Sequence, residues 1–269
     1  MDPALLERHF ARMGARLRLN DEMIPRRRTG AGVVTLDVRR DAQGEFFDII
    51  TPRETQAEVA ILDVQPSERH LLVLVRENSQ KHKFLCGHDE RHWFVAAIPE
   101  SAPVGTVRQA KEALKPVEVQ RSQARVRLDA KARNRRKNAA YQRQGEWFFL
   151  PAPGLKVERK KVLRHEPLSR GVGSKPHWAE FCYRTGGETV YTCGRFPGGI
   201  SQAEYKRLID DDPGTRNLGW RTMVRGAVVY VQGRISHADH KTIMLHQWHR
   251  VLMNTENQSR AMRNVAFLD

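Results

Sequence analysis

The sequence has few cysteines, no long apolar run and no recognisable targeting segment. Three cysteines in 269 residues are too few for a disulfide framework, and they fit a reducing compartment. The longest apolar runs have the length of strands and fall short of the roughly 18 residues that a membrane helix needs. The first residues lack the basic and apolar blocks of a secretory signal. These absences predict a soluble, cytoplasmic protein without a membrane partner.

Acidic residues are also scarce relative to basic ones. The chain has 46 Lys and Arg against 31 Asp and Glu, which gives a net charge of +15 and a pI of about 10.2. A balance this basic is typical of proteins that bind nucleic acid. An anionic membrane is the rival partner, but it usually requires a basic amphipathic helix or a lipid anchor, and the sequence shows neither.

Motifs for nucleotide binding and metal-dependent cleavage are missing as well. The segments Arg170–Lys175 and Gly194–Gly199 lack the glycine spacing of a phosphate-binding loop. Helix-turn-helix and zinc-finger spacings are absent, and no catalytic acidic-x-Lys pattern stands on a predicted strand. The sequence therefore predicts no cofactor and disfavours an enzyme that hydrolyses nucleotides.

The hydrophobic pattern predicts an α+β fold that is mainly antiparallel β-sheet. A helix is expected over residues 3–15, and another over Val104–Pro116. Between them, six strands joined by short turns predict an antiparallel meander. In the second half, Ser201 and Glu204 have the spacing of a capping box, which predicts a short helix. Two further hairpins are expected there, with turns at residues 185–188 and 237–240.

A change of composition divides the chain. We expect a helix and an antiparallel sheet in residues 1–118, a basic linker or arm in residues 119–143, and a β-rich domain in residues 144–269. The basic segment has one acid, Asp129, and too few large apolar residues to bury a helix face. It is therefore either a solvated helix or a mobile arm that becomes ordered on its ligand.

The basic segment and the aromatic residues after it are the predicted nucleic-acid interface. Cations neutralise phosphates, and aromatic rings next to arginines suit stacking on unpaired bases. The alternative for the aromatic residues is that they belong to the core of a strand. The predicted binding residues are Arg121, Arg125, Arg127, Lys131, Arg133, Arg135, Arg136, Lys137, Arg143 and Trp147. A further cluster, Arg26–Arg28, could join the same surface.

Four histidines between Ser236 and Arg250 raise the question of a metal site. If the second part of this stretch is a strand, His246 and His249 point to opposite faces and cannot share a metal. His237 and His240 lie in or beside the predicted turn and can converge, but the usual spacing of zinc ligands is absent. We therefore expect these histidines to contact a ligand, not a metal.

Two stretches leave an enzymatic alternative open. His237, His240 and Lys241 could cleave a phosphodiester without a metal, as acid, base and charge stabiliser. The turn that contains Cys86, His88 and His92 is rich in metal-binding side chains, although polar residues are expected in any turn.

Together these patterns predict a nucleic-acid-binding protein, with RNA or single-stranded nucleic acid preferred over duplex DNA. The alternatives are a nuclease or other phosphodiester-processing enzyme, and a structural subunit of a ribonucleoprotein.

Overall fold

We describe the protein from a computed structural model, which covers residues 2–21, 34–51, 57–77, 79–170 and 175–260. The fold is α+β and mainly antiparallel, as the sequence pattern predicts. Among these residues, no helix has both the length and the apolar character of a membrane span. The arginine cluster Arg26–Arg28 lies outside the described residues.

The first structural unit is a helix packed on a three-stranded sheet. Its elements are α1 (Pro3–Arg12), β1 (Leu17–Asn20), β2 (Thr35–Asp41) and β3 (Gly44–Ile50). Helix α1 begins as predicted, because the Asp2 side chain accepts a hydrogen bond from the Leu5 backbone N–H at 3.2 Å. Strands β2 and β3 form the predicted hairpin. Strand β1, which the sequence pattern did not predict, pairs in parallel with β3.

A four-stranded antiparallel meander follows. Its strands are β4 (Ala57–Gln65), β5 (His70–Glu77), β6 (Gln80–Asp89) and β7 (His92–Ile98). The six strands predicted as one meander therefore belong to two sheets, β1–β3 and β4–β7. One shared core of apolar side chains joins the two sheets and α1, with the Phe10 and Phe47 rings 5.0 Å apart at its centre.

Two short helices connect the halves of the chain. They are α2 (Val107–Ala113) and α3 (Val117–Arg125). Helix α2 is shorter than predicted because Thr106 and Gln109 form a capping box at its start. Its apolar side packs on the face of the meander opposite to the shared core. Pro116 ends this stretch and directly precedes α3.

The second half of the chain contains a large sheet and a small one. Its elements are β8 (Gln142–Gln144), β9 (Trp147–Pro151), β10 (Leu163–Leu168), β11 (His177–Thr185), β12 (Glu188–Cys193), β13 (Phe196–Ser201), α4 (Gln202–Asp211), β14 (Arg221–Arg225), β15 (Val228–Ser236) and β16 (Ile243–Met253). The large sheet has the order β10-β11-β15-β16-β9-β8, and the small one β13-β12-β14. The capping box of α4 and the hairpin β15–β16 are as predicted.

The hairpin predicted around residues 185–188 is wrong. Strand β11 pairs with β10 and β15 in the large sheet, whereas β12 pairs with β13 and β14 in the small sheet. Gly186 and Gly187 have φ values of +69° and +83°, which let the chain cross from one sheet to the other. A Cβ on Gly187 would lie 2.7 Å from the Arg225 carbonyl oxygen, because the β14–β15 connection crosses beside it.

The segment that follows β16 forms hydrogen bonds with the first half of the chain. The Thr255 hydroxyl donates to the Ala113 carbonyl at 2.7 Å, and Ser259 donates to the Glu100 carboxylate at 3.0 Å. The division into residues 1–118, 119–143 and 144–269 stays a prediction.

Candidate functional site: a histidine cluster in a cationic cavity

A cavity of about 830 Å³ lies between the meander and the large sheet. Strands β2 and β7 contribute to one wall, and residues 134–148 contribute to the other. Charged side chains of both signs line the cavity, and its cations are paired with acids, as Arg39 is with Asp37 and Lys175 with Asp239. A concave space with convergent polar groups is the usual setting of a ligand site.

At one end of this cavity, the lining residues His237 and His240 meet a third histidine, His177, which is buried and is not part of the lining. His177 is the first residue of β11, and His237 and His240 follow the end of β15. Since β11 and β15 are antiparallel, the start of one lies beside the end of the other, and Trp178 pairs with Ser236. The register therefore brings His177 next to a turn that is 60 residues away in sequence.

The three imidazole rings form a compact group. The ring centroids are 4.2 Å apart for His177 and His237, 4.8 Å for His237 and His240, and 5.4 Å for His177 and His240. One nitrogen from each ring lies within 4.8 Å of the others. His177 is only 1% exposed, and neither of its ring nitrogens has a hydrogen-bond partner among the described residues. Unpartnered buried polar atoms are rare and call for a physical explanation.

Burial keeps two of these rings uncharged. Burial, followed by the charges of His237 and His240, lowers the pKa of His177 to about 2. Burial also lowers the pKa of His240 to about 4. Both side chains are therefore neutral at pH 7, and a neutral imidazole has one nitrogen lone pair that can accept a proton or bind a metal.

Hydrogen bonds orient the His237 ring, whereas the Glu90 carboxylate binds the backbone next to His240 and not its ring. The Glu90 carboxylate is 3.7 Å from His240 Nδ1, and it accepts a hydrogen bond from the Lys241 backbone N–H at 2.6 Å. His237 Nε2 is 3.3 Å from the Lys175 carbonyl oxygen. The Asp239 backbone N–H donates to His237 Nδ1 at 3.1 Å. His237 is thus the tautomer with its proton on Nε2.

Gly145 leaves space in front of the cluster. It connects β8 to β9 with φ +56°, and a Cβ at this position would lie 2.8 Å from His240 Nε2 and 3.4 Å from His177 Nε2. Both Nε2 atoms therefore lie beside the same small volume, and any residue with a side chain would fill it.

The structure brings together two of the three catalytic residues that the sequence suggested. His237 and His240 line the cavity, whereas the exposed Lys241 is absent from its walls. In strand β16, His246 is exposed and His249 is buried, in agreement with the expected opposite faces.

The turn at residues 86–92 does not gather its metal-binding side chains. Cys86 is fully buried in the shared core, where burial raises the pKa of its thiol. The His88 ring packs edge-on against Trp93 at 4.9 Å, and His92 Nδ1 lies 2.6 Å from the Glu45 carboxylate. Strand alternation places Cys86 and His88 on one face of the hairpin and His92 on the other. The three side chains therefore do not converge on one point, although His88 and His92 line the same cavity as His237 and His240; a metal at this turn stays an untested alternative.

The basic segment, residues 121–137, has an inner and an outer side. The Arg133 carbonyl oxygen accepts hydrogen bonds from Lys115 at 3.0 Å, Gln123 at 2.6 Å and the Tyr141 hydroxyl at 2.8 Å. On the same inner side, Arg136 pairs with Asp89 and Glu90. The described segment is thus helix α3 followed by anchored turns, which agrees better with the expected solvated helix than with a mobile arm.

The outer side carries the remaining cations of the segment. The exposed side chains are Arg121, Arg125, Arg127, Lys131, Arg135 and Lys137. Arg133, by contrast, is half-buried near Glu112, and Arg143 lies 3.4 Å from Asp89. Trp147 packs against the core of the large sheet, so its ring does not form a stacking surface on the outside.

Sequence reasoning missed His177, Glu90 and Gly145. His177 was assigned to a strand whose partner was misidentified, so its position beside the β15 end was not expected. The register of β11 on β15 is the information that would have placed it.

Comparisons of the chain with protein-family models, with curated proteins and with solved structures find no match.

Proposed function

We propose that the protein binds a nucleic acid through the outer side of the basic segment, with RNA or a single strand preferred over duplex DNA. The observation that carries this proposal is the set of six exposed cations in residues 121–137. None of the six forms an ion pair with a residue that the structure describes, so their charge is available to phosphates. Each phosphate that a cation neutralises releases counterions and adds affinity that falls with salt.

The anchoring of the segment supports the proposal. Because the Arg133 carbonyl holds three hydrogen bonds, the cations stand on a backbone that is already ordered. Binding then costs less conformational entropy than the folding of a mobile arm would. We place this activity in the cytoplasm, where the three cysteines would remain reduced.

The experiment compares two variants in which four positive charges are removed. In the first, Arg121, Arg125, Arg127 and Lys131 are changed to Gln. The control changes four exposed cations of the small-sheet region, Lys206, Arg207, Arg216 and Arg221. Binding of labelled single-stranded and duplex RNA and DNA is measured by fluorescence anisotropy over a range of salt concentrations.

We expect the segment variant alone to show a large decrease in affinity. Its plot of log affinity against log salt should flatten by roughly 0.7 to 0.9 for each phosphate that the variant no longer neutralises. Equal decreases in the two variants would mean that net charge, and not this segment, attracts the nucleic acid. Undiminished binding by the folded segment variant would refute the proposal, and tighter binding to duplex DNA would overturn its preference for RNA.

A phosphodiester-processing enzyme is a second candidate, favoured by the convergence of His237 and His240 at a cavity lined by charged side chains. A neutral imidazole such as His240 can accept a proton from an attacking hydroxyl group. Cleavage products in the same incubations, absent in His237→Gln but kept in His246→Gln, would support it. Binding without cleavage by a protein purified inside a larger RNA–protein particle would favour the structural alternative.

A further inference from the structure

The histidine cluster has the composition of a metal site with three protein ligands. His177, His237 and His240 each offer one nitrogen, and these nitrogens lie within 4.8 Å of one another. We propose that the three side chains bind one transition-metal ion of the Zn²⁺ class, with a fourth coordination position open to the cavity. This inference is independent of nucleic-acid binding by the basic segment and replaces the expectation that these histidines avoid metal.

The distances require only a small contraction. A tetrahedral ion with Zn–N bonds of about 2.0–2.1 Å holds its ligand nitrogens about 3.3 Å apart. The cluster spacing of up to 4.8 Å must therefore close by about 1.5 Å, which side-chain rotation supplies. His237 and His240 lie on a turn and are half-buried, so their rings have room to move.

Each ring has a nitrogen suited to the metal. His237 donates its Nε2 proton toward the Lys175 carbonyl, which leaves the Nδ1 lone pair for the ion after a turn away from the Asp239 N–H. His240 has Nε2 toward the space at Gly145, and its Nδ1, which has no hydrogen-bond partner among the described residues, lies 3.7 Å from the Glu90 carboxylate, close enough for a small rotation to join them. A carbonyl or carboxylate on the second nitrogen is the usual support of a metal-binding histidine.

His177 supplies the strongest argument. Its ring is buried and both of its nitrogens lack partners among the described residues, a costly arrangement for an ordinary core side chain. A Cβ on Gly145 would lie 3.4 Å from its Nε2 atom, so an ion held in the space at Gly145 would be within reach of this ring. Coordination would satisfy one of the two orphaned atoms.

The donors also indicate which metals fit. Three neutral imidazoles suit Zn²⁺, Co²⁺, Ni²⁺ or Cu²⁺, whereas Ca²⁺ and Mg²⁺ require oxygen ligands. Three protein ligands with an open position are typical of catalytic zinc sites, while structural sites usually have four. The cavity beside His237 and His240 is lined by charged side chains of both signs, which suits a polar molecule at the open position.

The test uses the full chain, stripped of metal with a chelator and titrated with Co²⁺ and then Zn²⁺. Visible absorption measures the Co²⁺ geometry, and elemental analysis after gel filtration measures the metal content. We expect saturation at about one Co²⁺ per chain, with displacement by Zn²⁺. His237→Gln and His240→Gln should weaken binding by more than the roughly 10- to 100-fold that removal of an outer partner costs, and Glu90→Gln should fall within that range.

Two controls make the result decisive. His246→Gln removes an exposed histidine from the neighbouring strand β16 and should bind Co²⁺ like the wild type. Circular dichroism verifies the fold of each variant, and His177→Gln is interpreted only if it folds; the two turn variants test the site without it. A folded wild type that binds no Co²⁺ at millimolar concentration would overturn the metal site, as would equal binding by the turn variants. Nucleic-acid binding in either outcome is scored separately through the basic segment.

Discussion

Two hairpin turns carry metal-binding side chains, but only one brings them together. The turn at residues 86–92 contains Cys86, His88 and His92 close together in sequence, and the strands send them to different places. The turn at residues 237–240 contains only two histidines, and a third arrives from the start of β11. Successive residues of one strand point to opposite faces of the sheet, whereas residues on neighbouring strands can lie side by side on the same face.

The largest expected effect comes from filling the space beside the histidine cluster. Gly145→Ala places a methyl group 2.8 Å from His240 Nε2, so the ring must move away. We expect Co²⁺ affinity to fall by more than roughly 100-fold, beyond the usual cost of an outer-shell change. The left-handed backbone should also cost about 1–2 kcal/mol of stability. Co²⁺ titration and urea unfolding measure the two effects.

Gly219→Ala is the matched control. Gly219 has a similar φ of +68°, but a Cβ there meets nothing within 4 Å. The backbone cost should therefore be about the same in both variants, and only Gly145→Ala, which adds the contact with His240, should fail to hold the metal. Equal Co²⁺ affinity in the two would show that the space at Gly145 is not used by the ion.

Much of the fold could be predicted because local patterns determine it. The helix cap at Asp2, the capping box of α4 and the hairpins β2–β3 and β15–β16 all depend on residues near one another in sequence. The partner of β11 could not be predicted in this way. Gly186 and Gly187 look like a hairpin turn in sequence, and only the close approach of the β14–β15 connection shows that they carry the chain between sheets.

Only the part of the candidate site that lies in the turn between β15 and β16 could be predicted from the sequence. His237 and His240 are conspicuous because they are three residues apart, and the strand pattern correctly separates His246 from His249. His177 shows no such sign, since a histidine at a strand start is unremarkable. Its position beside the two turn histidines results from the register of β11 on β15, and that register depends on the packing of the whole sheet.

A smaller effect is expected from His70, a half-buried histidine on β5 that pairs with Gly87 of β6. Its ring packs edge-on against Phe94 at 5.7 Å, and its Nδ1 atom contacts the Glu68 carbonyl. Burial, and then the charge of Lys111, lower the pKa of His70 to about 4; Arg143 acts in the same direction and Glu68 opposes it. This ring shows that a depressed pKa arises from burial without a cluster of histidines.

The direction in which pH changes the stability follows from the pKa of His70 in the folded and unfolded states. The pKa of a histidine is about 6.5 in the unfolded chain, so the unfolded state binds a proton between pH 6.5 and 4 that folded His70 does not. Its contribution to stability is complete above about pH 6.5 and declines as the pH falls toward 4. Between about pH 7 and pH 5, the stability of His70→Gln should therefore decrease less than that of the wild type. Urea unfolding of metal-free protein measures this, and equal decreases would contradict the burial of the ring.

The smallest expected effect is that of Cys86→Ala, which separates the two turns most directly. Cys86 is the strongest metal ligand type in its turn, yet its thiol is fully buried among apolar side chains and its pKa is raised by burial. We expect unchanged Co²⁺ affinity and a decrease of about 1 kcal/mol in stability, from the small cavity that the sulfur leaves.

In the folded wild type, a thiol reagent should react first with Cys193, which is half-buried, because Cys86 and Cys182 are buried and have raised pKa values. A drop in Co²⁺ affinity in Cys86→Ala, with the fold intact, would mean that the metal is held at the first turn after all.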